Sequence, residues 1–136
     1  MTVRRFIKED LRSFRPNQFS DPREVDYALD DPKFDIFTLL DGNRTEAIIC
    51  ARRYWGNNYM AFFLISADFR PRNAVKLRDF VHSTHERFGV KRIQTDSQAN
   101  ELLDAWHRFM GFKLEGKREQ MMHGKDYHCW GLVMGE

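Results

Sequence analysis

The segment from Phe63 to Val81 contains the residue types that most clearly suggest chemistry. An apolar strand leads into a turn with two arginines, Arg70 and Arg72, and a helical pattern begins directly afterwards. The first turn of a helix offers unpaired backbone N–H groups and a positive dipole end, which together suit a phosphate. The segment therefore predicts a diphosphate-binding turn. A plain strand-to-helix turn with solvated arginines is the alternative, because every α/β protein contains such turns.

Other chemistry-bearing sets are weaker. His82 and His85 lie three residues apart on a predicted helix, but no cysteine or acid completes a metal site beside them, so exposed helix polar residues are the better interpretation. The chain has no G-x-S-x-G turn, no zinc spacing and no P-loop. Cys50 and Cys129 lie in apolar, strand-like runs, which favours buried reduced thiols. The sequence predicts no metal.

The hydrophobic pattern predicts the element order β-α-α-β-β-β-α-β-α-β-β. The second helix should begin near Pro22, with Ser20 or Asp21 as its cap and Glu24 closing a capping box. Ser97 is predicted to cap the last helix. The predicted strands cover 2–7, 33–40, 45–54, 59–66, 90–96, 113–122 and 127–134, and the predicted helices cover 8–14, 20–31, 72–88 and 97–110.

This order and two matched segments resemble the GNAT superfamily of acetyl-CoA-dependent N-acetyltransferases over almost the whole chain. The family signature Q/R-x-x-G-x-G/A falls on Arg70, Pro71, Arg72, Asn73, Ala74 and Val75, and "ISADFR" fits the approach to it. A later family pattern, an Asn, then a Tyr seven positions on, then Gly-Phe, falls on Asn100, His107, Gly111 and Phe112. The resemblance implies a single-domain α/β fold with a mixed sheet. That sheet is antiparallel through four strands, and its fourth and fifth strands pair in parallel and then splay apart.

The resemblance also implies where acetyl-CoA, the co-substrate, would bind. Its pantetheine arm inserts between the splayed strands and pairs with free strand backbone, which assigns this contact to Leu64, Ile65 and Ser66. The diphosphate falls on the turn from Arg70 to Val75, and Asn100 belongs to the same binding set. The thioester carbonyl would be polarised by a strand N–H, and the amine would attack directly, without a covalent enzyme intermediate.

Three positions depart from the family pattern. The signature glycine is Asn73, which can still adopt a left-handed conformation, and the second small residue is Val75, which cannot do so cheaply. Diphosphate binding through backbone N–H groups therefore requires Val75 to be helical already. The family's general acid, a Tyr, is His107 here. An imidazolium with a reference pKa of ~6.5 can protonate a thiolate whose reference pKa is ~8.5. A half-buried histidine beside Trp106 is an equal alternative.

The general base is the least clear residue of the site. A lysine-type amine with a pKa of ~10.4 is protonated at pH 7, so a carboxylate or an ordered water must take its proton. Family members often place a Glu on the third or fourth strand. The candidates are Glu46 on the third strand, Asp68 at the end of the fourth and Asp96 after the fifth, with Glu46 ranked first. Each also fits a solvated or capping acid.

Composition narrows the function classes. The 136 residues suit one domain, 1–136, and the net charge of +2 is too small and dispersed for a dedicated nucleic-acid binder. The longest apolar run, Met60 to Ile65, is far shorter than the ~20 residues of a membrane span. We therefore expect no membrane association, a cytoplasmic location and a monomer or homodimer.

The short chain and degenerate signature resemble the small GNAT-like proteins of tailed phages, which would place the protein in the host cytoplasm. Two functions follow from the resemblance. The first is acetylation of a lysine on a protein, possible in an open groove framed by residues 15–31 and 123–126 with Asp30, Asp31 and Asp35 as a negative lip. The second is a non-catalytic GNAT-fold module, such as a virion component.

Overall fold

The computed structural model describes residues 2–135 and is built on one seven-stranded sheet. The order of its elements confirms the predicted order, with a 3-10 helix as the first helical piece. The elements are β1 (Thr2–Arg5), the 3-10 helix (Lys8–Leu11), α1 (Arg23–Leu29), β2 (Phe34–Asp41), β3 (Arg44–Arg53), β4 (Asn58–Ile65), α2 (Pro71–Phe88), β5 (Arg92–Gln98), α3 (Glu101–Phe109), β6 (Lys113–Met122) and β7 (Lys125–Val133).

The strands lie side by side in the order β1-β2-β3-β4-β5-β7-β6. Neighbours among β1 to β4 are antiparallel, whereas β4 and β5 are parallel. The parallel pairing starts at Asn58 and Arg92 and ends at Met60 and Gln94, although both strands continue beyond these residues. The two strands therefore separate toward their carboxyl ends, which confirms the predicted splay. We call the opening between residues 61–65 and 95–98 the β4–β5 gap.

Two apolar clusters hold the helices on opposite faces of the sheet. On the face covered by α2 and α3, Leu77 and Trp130 are fully buried. On the other face, Val25 of α1 packs into a cluster that contains Ile48 of β3. Burying one such side chain contributes about 1.5–3 kcal/mol. Since successive β3 side chains alternate between the two clusters, a one-residue slip would exchange them, and the register of β3 is strongly specified.

The ends of α2 follow the sequence signals. Arg70 precedes the helix in an extended conformation, and Pro71 occupies the first helical position, where its missing N–H costs nothing. Gly89 follows the last residue with a φ of 70°, a left-handed conformation that glycine adopts without strain. The start of α2, which borders the β4–β5 gap, is therefore fixed by local sequence.

The predicted cap of α3 is wrong. Ser97 lies inside β5, where it is in register with His128 of β7, and strand pairing takes precedence over its capping tendency. Asn100 caps the helix instead, and its side-chain oxygen accepts hydrogen bonds from the N–H groups of Leu102 and Leu103. The side-chain oxygen of Asn100 is thus already committed to a structural role.

The predicted capping box of α1 is also absent. Pro22 precedes the helix rather than forming its first residue, and no side chain caps the helix at that position. Asp21 instead accepts a hydrogen bond from the Arg23 N–H at 3.0 Å and pairs with the Arg23 guanidinium. The local ion pair has taken the place of the expected bond to Glu24. Among residues 2–135, no helix is both long and apolar enough to cross a bilayer.

Candidate active site

The β4–β5 gap leaves backbone groups of β4 without a neighbouring strand. In an antiparallel pair, successive residues turn their N–H and C=O groups alternately toward and away from the partner strand. The Ser66 N–H donates to the Glu46 carbonyl at 3.0 Å, so Ser66 faces β3. The register of β3 and β4 then directs the backbone of Ile65 and Phe63 away from β3 and toward the gap.

The loop from Arg15 to Ser20, here the 15–20 loop, lies against this free edge. The Asn17 N–H donates to the Ile65 carbonyl at 2.8 Å, and the Ile65 N–H donates to the Ser20 hydroxyl oxygen at 2.9 Å. Both backbone groups of Ile65 are therefore satisfied within the chain. Phe63 is the residue whose backbone groups still face the open gap.

The three residues predicted to contact pantetheine are only partly directed at the gap. Leu64 faces β3 in the same alternation as Ser66, and its side chain is fully buried. Ser66 uses its hydroxyl on Glu46 Oε2 at 3.1 Å, in addition to its backbone bond. Ile65 alone of the three points toward the gap, together with Phe63, which the sequence analysis did not select. The sequence alone does not show the register of β4 against β3, and this register decides which alternate residues turn their backbone groups toward the gap.

The predicted diphosphate turn forms the start of α2. Pro71 to Val75 are all helical, so the requirement placed on Val75 is met. Neither Asn73 nor Val75 has a positive φ, and the glycine of the family signature is not needed here for backbone conformation. Backbone donors are few, because Pro71 has no N–H and the Asn73 N–H donates to the Arg70 carbonyl at 2.9 Å. Besides the N–H groups of Arg72 and Ala74, an anion at this turn would therefore use the side chains of Arg70 and Arg72.

Asp41, the last residue of β2, binds both of these arginines. Its Oδ2 accepts from Arg70 Nη1 at 2.8 Å, from Arg72 Nη2 at 3.0 Å and from Asn73 Nδ2 at 3.3 Å. The hydrogen bonds from Arg72 and Asn73 lower the pKa of Asp41, so this carboxyl is ionised at neutral pH. The sequence analysis missed Asp41, because only the folded sheet brings the β2–β3 turn next to α2.

Glu46 and Asp68, both predicted as candidate bases, lie beside Arg44, and Glu46 also lies near Arg70. Glu46 is fully buried, and its Oε1 lies 3.4 Å from Arg44 Nε and 3.6 Å from Arg70 Nε. Asp68 is exposed and contacts Arg44 Nη2 at 2.8 Å. The fold thus joins residues that the sequence analysis had assigned to separate tasks. We call Asp41, Glu46, Asp68, Arg44, Arg70 and Arg72 the arginine–carboxylate cluster.

Two features of this cluster bear on ligand binding. Its three carboxylates balance its three guanidinium groups, so its formal charge is zero. Two buried oxygens at the cluster, Glu46 Oε1 and Asn73 Oδ1, have no hydrogen-bond donor. Buried polar atoms almost always have a partner, so these two acceptors are the unsatisfied groups of the cluster region.

His107 is the buried residue of α3, and Phe112 separates it from Phe63 and the gap. Its ring stacks on Trp130 with 5.3 Å between centroids, and Phe112 lies between His107 and Phe63, with centroid distances of 5.9 and 6.3 Å. Nδ1 lies 2.7 Å from the Leu103 carbonyl, so Nδ1 carries the proton and Nε2 is a free acceptor. Burial lowers the pKa of His107 and favours the neutral ring, against the expected imidazolium.

The negative lip expected at the acceptor groove does not form there. Asp31 pairs with Arg52 at 3.0 Å, and Asp35 pairs with Arg5 at 2.8 Å, so two of its three acids are already neutralised. Asp35 also lies near the start of β2, whereas Asp41 and the gap are at the opposite end of that strand. Asp30 is exposed, and it lies at the same end of the sheet as Asp35, away from the gap.

The remaining candidate groups have structural partners. His82 Nε2 and His85 Nδ1 lie 2.7 and 2.9 Å from the carbonyls of Met110 and Val90. Asp96 is exposed, 3.9 Å from Arg118 Nε. Burial and the negative charge of Glu24 raise the pKa of the Cys50 thiol to about 12, so Cys50 is not a nucleophile at neutral pH. Within residues 2–135, no three His, Cys, Asp or Glu side chains are grouped to hold a metal ion.

Comparison with known proteins identifies the fold. No protein-family model matches the chain, and no curated protein matches its sequence. The ribosomal-protein-S18-alanine N-acetyltransferase from Escherichia coli matches with a TM-score of 0.79 at 15% identity, covering 99% of this chain and 94% of that one. A GNAT-family acetyltransferase from Streptococcus pneumoniae matches with a TM-score of 0.75 at 12% identity, covering 98% and 99%. A variant of spermidine N-acetyltransferase from Vibrio cholerae matches with a TM-score of 0.73 at 12% identity, covering 98% and 95%. The chain therefore has the GNAT fold.

Proposed function

We propose that this chain, a single domain over residues 1–136 with the GNAT fold, is an N-acetyltransferase that moves an acetyl group from acetyl-CoA to an amine. The observation that carries the proposal is the open backbone of Phe63 in the β4–β5 gap, beside a turn that presents Arg70 and Arg72. A splayed strand edge can pair with the amides of pantetheine, and guanidinium groups can bind a diphosphate. The co-substrate itself supplies an activated acetyl group as a thioester.

The chain's own groups would bind and orient the thioester as follows. The Phe63 N–H donates to the thioester carbonyl and stabilises the negative charge that develops there. Ile65 adds its N–H and C=O once the 15–20 loop releases them. Asn100 fixes the start of α3 beside the gap, and Leu64 and Ser66 support β4 from the β3 side.

Glu46 is the proposed acceptor of the first proton. Its Oε1 accepts no hydrogen bond, although the Nε atoms of Arg44 and Arg70 lie 3.4 and 3.6 Å away, and the side chain faces the same side of the sheet as α1. Because Glu46 has no exposed surface, the proton of the incoming ammonium reaches it through an ordered water. Asp68, which is exposed and paired with Arg44, is the second candidate for this role.

His107 is proposed as a proton shuttle rather than as a preformed acid. The attacking nitrogen must lose a second proton as the amide forms, and the departing thiolate must gain one. A neutral His107 takes the first of these protons at Nε2 and returns it to the sulfur, so the two transfers balance. The hydrogen bond from Nδ1–H to the Leu103 carbonyl holds the ring in the tautomer that this role needs.

The proposed acceptor is a lysine of another protein. Within residues 2–135 the structure has no subdomain beyond the sheet and its helices, so the material there that could enclose a small amine is the 15–20 loop, α1 and the β6–β7 hairpin. Nine of the ten residues of β6 are exposed. An open site of this kind suits an exposed side chain on a macromolecule better than a small amine, which needs an enclosing pocket.

A second candidate function is a non-catalytic binding or structural module with the same fold, such as a virion component. Two observations favour it. The backbone of Ile65 is occupied by the 15–20 loop, and the arginines at the start of α2 are neutralised by carboxylates. Both features oppose co-substrate binding.

Incubation with labelled acetyl-CoA separates these functions. The protein is mixed with a cell lysate in one reaction and with polyamines and aminoglycosides in another. Transfer of label to proteins supports the proposed acceptor, and label on the small amines alone overturns the protein acceptor while leaving acetyl transfer intact. No transfer in either reaction, with a folded protein, favours the non-catalytic module.

A further inference from the structure

Asp41 occupies the binding groups that a diphosphate would need. It presents one oxygen, Oδ2, to Arg70 Nη1, Arg72 Nη2 and Asn73 Nδ2. Among the backbone N–H groups of this turn, Pro71 has none and the Asn73 N–H is already bonded, so only those of Arg72 and Ala74 add to the side-chain donors. A diphosphate that binds the guanidinium groups at the start of α2 therefore competes for them with the Asp41 carboxylate.

The net charge of the arginine–carboxylate cluster also opposes the binding of an anion. With three guanidinium groups and three carboxylates, the cluster exerts no net attraction on an anion as long as all its ion pairs are intact. Arg72 is much more exposed than its partner, with 66% of its side chain accessible against 19% for Asp41. An anion can thus draw Arg72 outward, while Asp41 stays in place at the end of β2.

The contact with Asp41 also leaves a buried atom unsatisfied. Asn73 is fully buried and turns its Nδ2 toward Asp41, and its Oδ1 then has no donor. An unpartnered buried acceptor is unfavourable. The contact with Asp41 therefore carries the cost of one unpartnered buried acceptor.

We infer that Asp41 is an internal competitor of the diphosphate of acetyl-CoA, holding Arg70 and Arg72 until the co-substrate displaces it. This inference rests on the proposed function, because it assumes that acetyl-CoA binds at the start of α2. Asp41 is a positioning residue in this account, since it acts through the arginines. It sets the affinity for ligands that carry the diphosphate and has no effect on ligands that lack it.

The test compares two ligands that share the thioester arm, acetyl-CoA and acetyl-pantetheine, which has no diphosphate. Affinities for both are measured by calorimetry or NMR titration on the wild type, on Asp41→Asn and on Asp41→Ser. The inference predicts about tenfold tighter binding of acetyl-CoA to both variants, since a charge-assisted pair no longer has to be broken, and unchanged binding of acetyl-pantetheine. Asp35→Asn is the matched control: it removes one charge from the same strand at its other end, and it should change neither affinity.

Each result has a defined meaning. Equal or weaker acetyl-CoA binding in the folded Asp41 variants overturns the inference, as does an equal change for both ligands, which would indicate a general effect on the fold. Binding of acetyl-CoA to an Asp41 variant but not to the wild type supports it. Absence of acetyl-CoA binding in every variant overturns the proposed function, and the inference with it. If acetyl-CoA binds equally well to the wild type and to the Asp41 variants, only the inference about Asp41 is overturned and the proposed function stands.

Discussion

The backbone N–H of Ile65 donates to the hydroxyl oxygen of Ser20 at 2.9 Å, across an edge where no strand pairs with this part of β4. Together with the bond from the Asn17 N–H to the Ile65 carbonyl, this contact closes the outer end of the β4–β5 gap. A pantetheine arm that pairs with Ile65 must first displace the 15–20 loop, whereas one that uses Phe63 need not.

Removal of the Ser20 hydroxyl tests whether Ile65 takes part in binding. A backbone hydrogen bond contributes a net ~1 kcal/mol, so Ser20→Ala should tighten acetyl-CoA binding about fivefold by calorimetry. Ser83→Ala is the control, because the Ser83 hydroxyl donates only to Phe80 within α2. Unchanged affinity in a folded Ser20→Ala protein would show that the co-substrate does not use the Ile65 N–H.

Replacement of both arginines of the turn tests the diphosphate site. The double variant Arg70→Ala, Arg72→Ala should bind acetyl-CoA well over tenfold more weakly, since each charge-assisted contact to phosphate is worth ~1.5–3 kcal/mol. Arg53→Ala serves as the control for lost charge, because Arg53 contacts the β3–β4 turn at the far end of the sheet. Wild-type affinity in the folded double variant would remove the site.

The burial of His107 predicts how kcat depends on pH. Burial lowers its pKa, so the neutral ring that accepts a proton prevails at neutral pH. It is lost only as the pH falls through the folded-state pKa, which lies below the ordinary ~6.5. The shuttle therefore predicts that kcat falls on acidification. His107→Ala should lower kcat much more than it changes acetyl-CoA affinity. His107→Tyr, which restores the family residue, should keep activity but lose this acid limb.

The control for His107 is His123→Asn, at the exposed tip of the β6–β7 hairpin, which should leave the profile unchanged. A kcat that rises on acidification would instead identify the imidazolium as the working form. Equal turnover in the wild type and His107→Ala would return His107 to a packing role against Trp130.

Local patterns in the sequence predicted most of the secondary structure elements. Periodicity located the strands and helices, and α2, predicted over 72–88, is found at Pro71–Phe88. The wrong expectations arose where a distant partner decided the outcome: Ser97 pairs with β7 instead of capping α3, and the cap is supplied by Asn100. Capping tendencies are local and weak, and a sheet partner readily outweighs them.

The candidate site could be predicted only as a set of separate segments. The signature located Arg70 and Arg72, but the acid that binds them, Asp41, is distant in sequence and has no motif of its own. Phe63 was missed because strand register, rather than composition, decides which backbone groups face the gap. The charged residues of the arginine–carboxylate cluster come from separate segments of the chain, and only folding brings them together.

Asp10 provides a test of the fold that is independent of activity. It is buried and accepts hydrogen bonds from Arg4, from the Ile7 N–H at 3.0 Å and from the Thr38 hydroxyl at 2.7 Å. Burial alone would raise the pKa of Asp10, but the hydrogen bonds, chiefly that from Arg4, outweigh it and lower the pKa. Asp10→Asn should reduce the free energy of unfolding at pH 7 by about 2 kcal/mol, measured by urea titration.

The sign of the pH effect follows from the lowered pKa. The ionised Asp10 contributes stability above its unfolded-state pKa of ~3.9, and this contribution is lost as the pH falls through the folded-state value. The difference between the wild type and Asp10→Asn should therefore shrink below about pH 4. Asp21→Asn, which removes an exposed pair with Arg23, should change stability little at any pH. A difference that stays constant down to low pH would contradict this account.

The most direct test of the central claim is thiol release from acetyl-CoA in the presence of lysine-containing peptides, for the wild type and for Phe63→Pro. Proline removes the one N–H proposed to polarise the thioester and is tolerated where a strand edge has no partner. The account predicts amine-dependent thiol release by the wild type and at least about a hundredfold loss in the folded variant. A wild-type protein that releases no thiol with any amine, or a Phe63→Pro variant as active as the wild type, would contradict it.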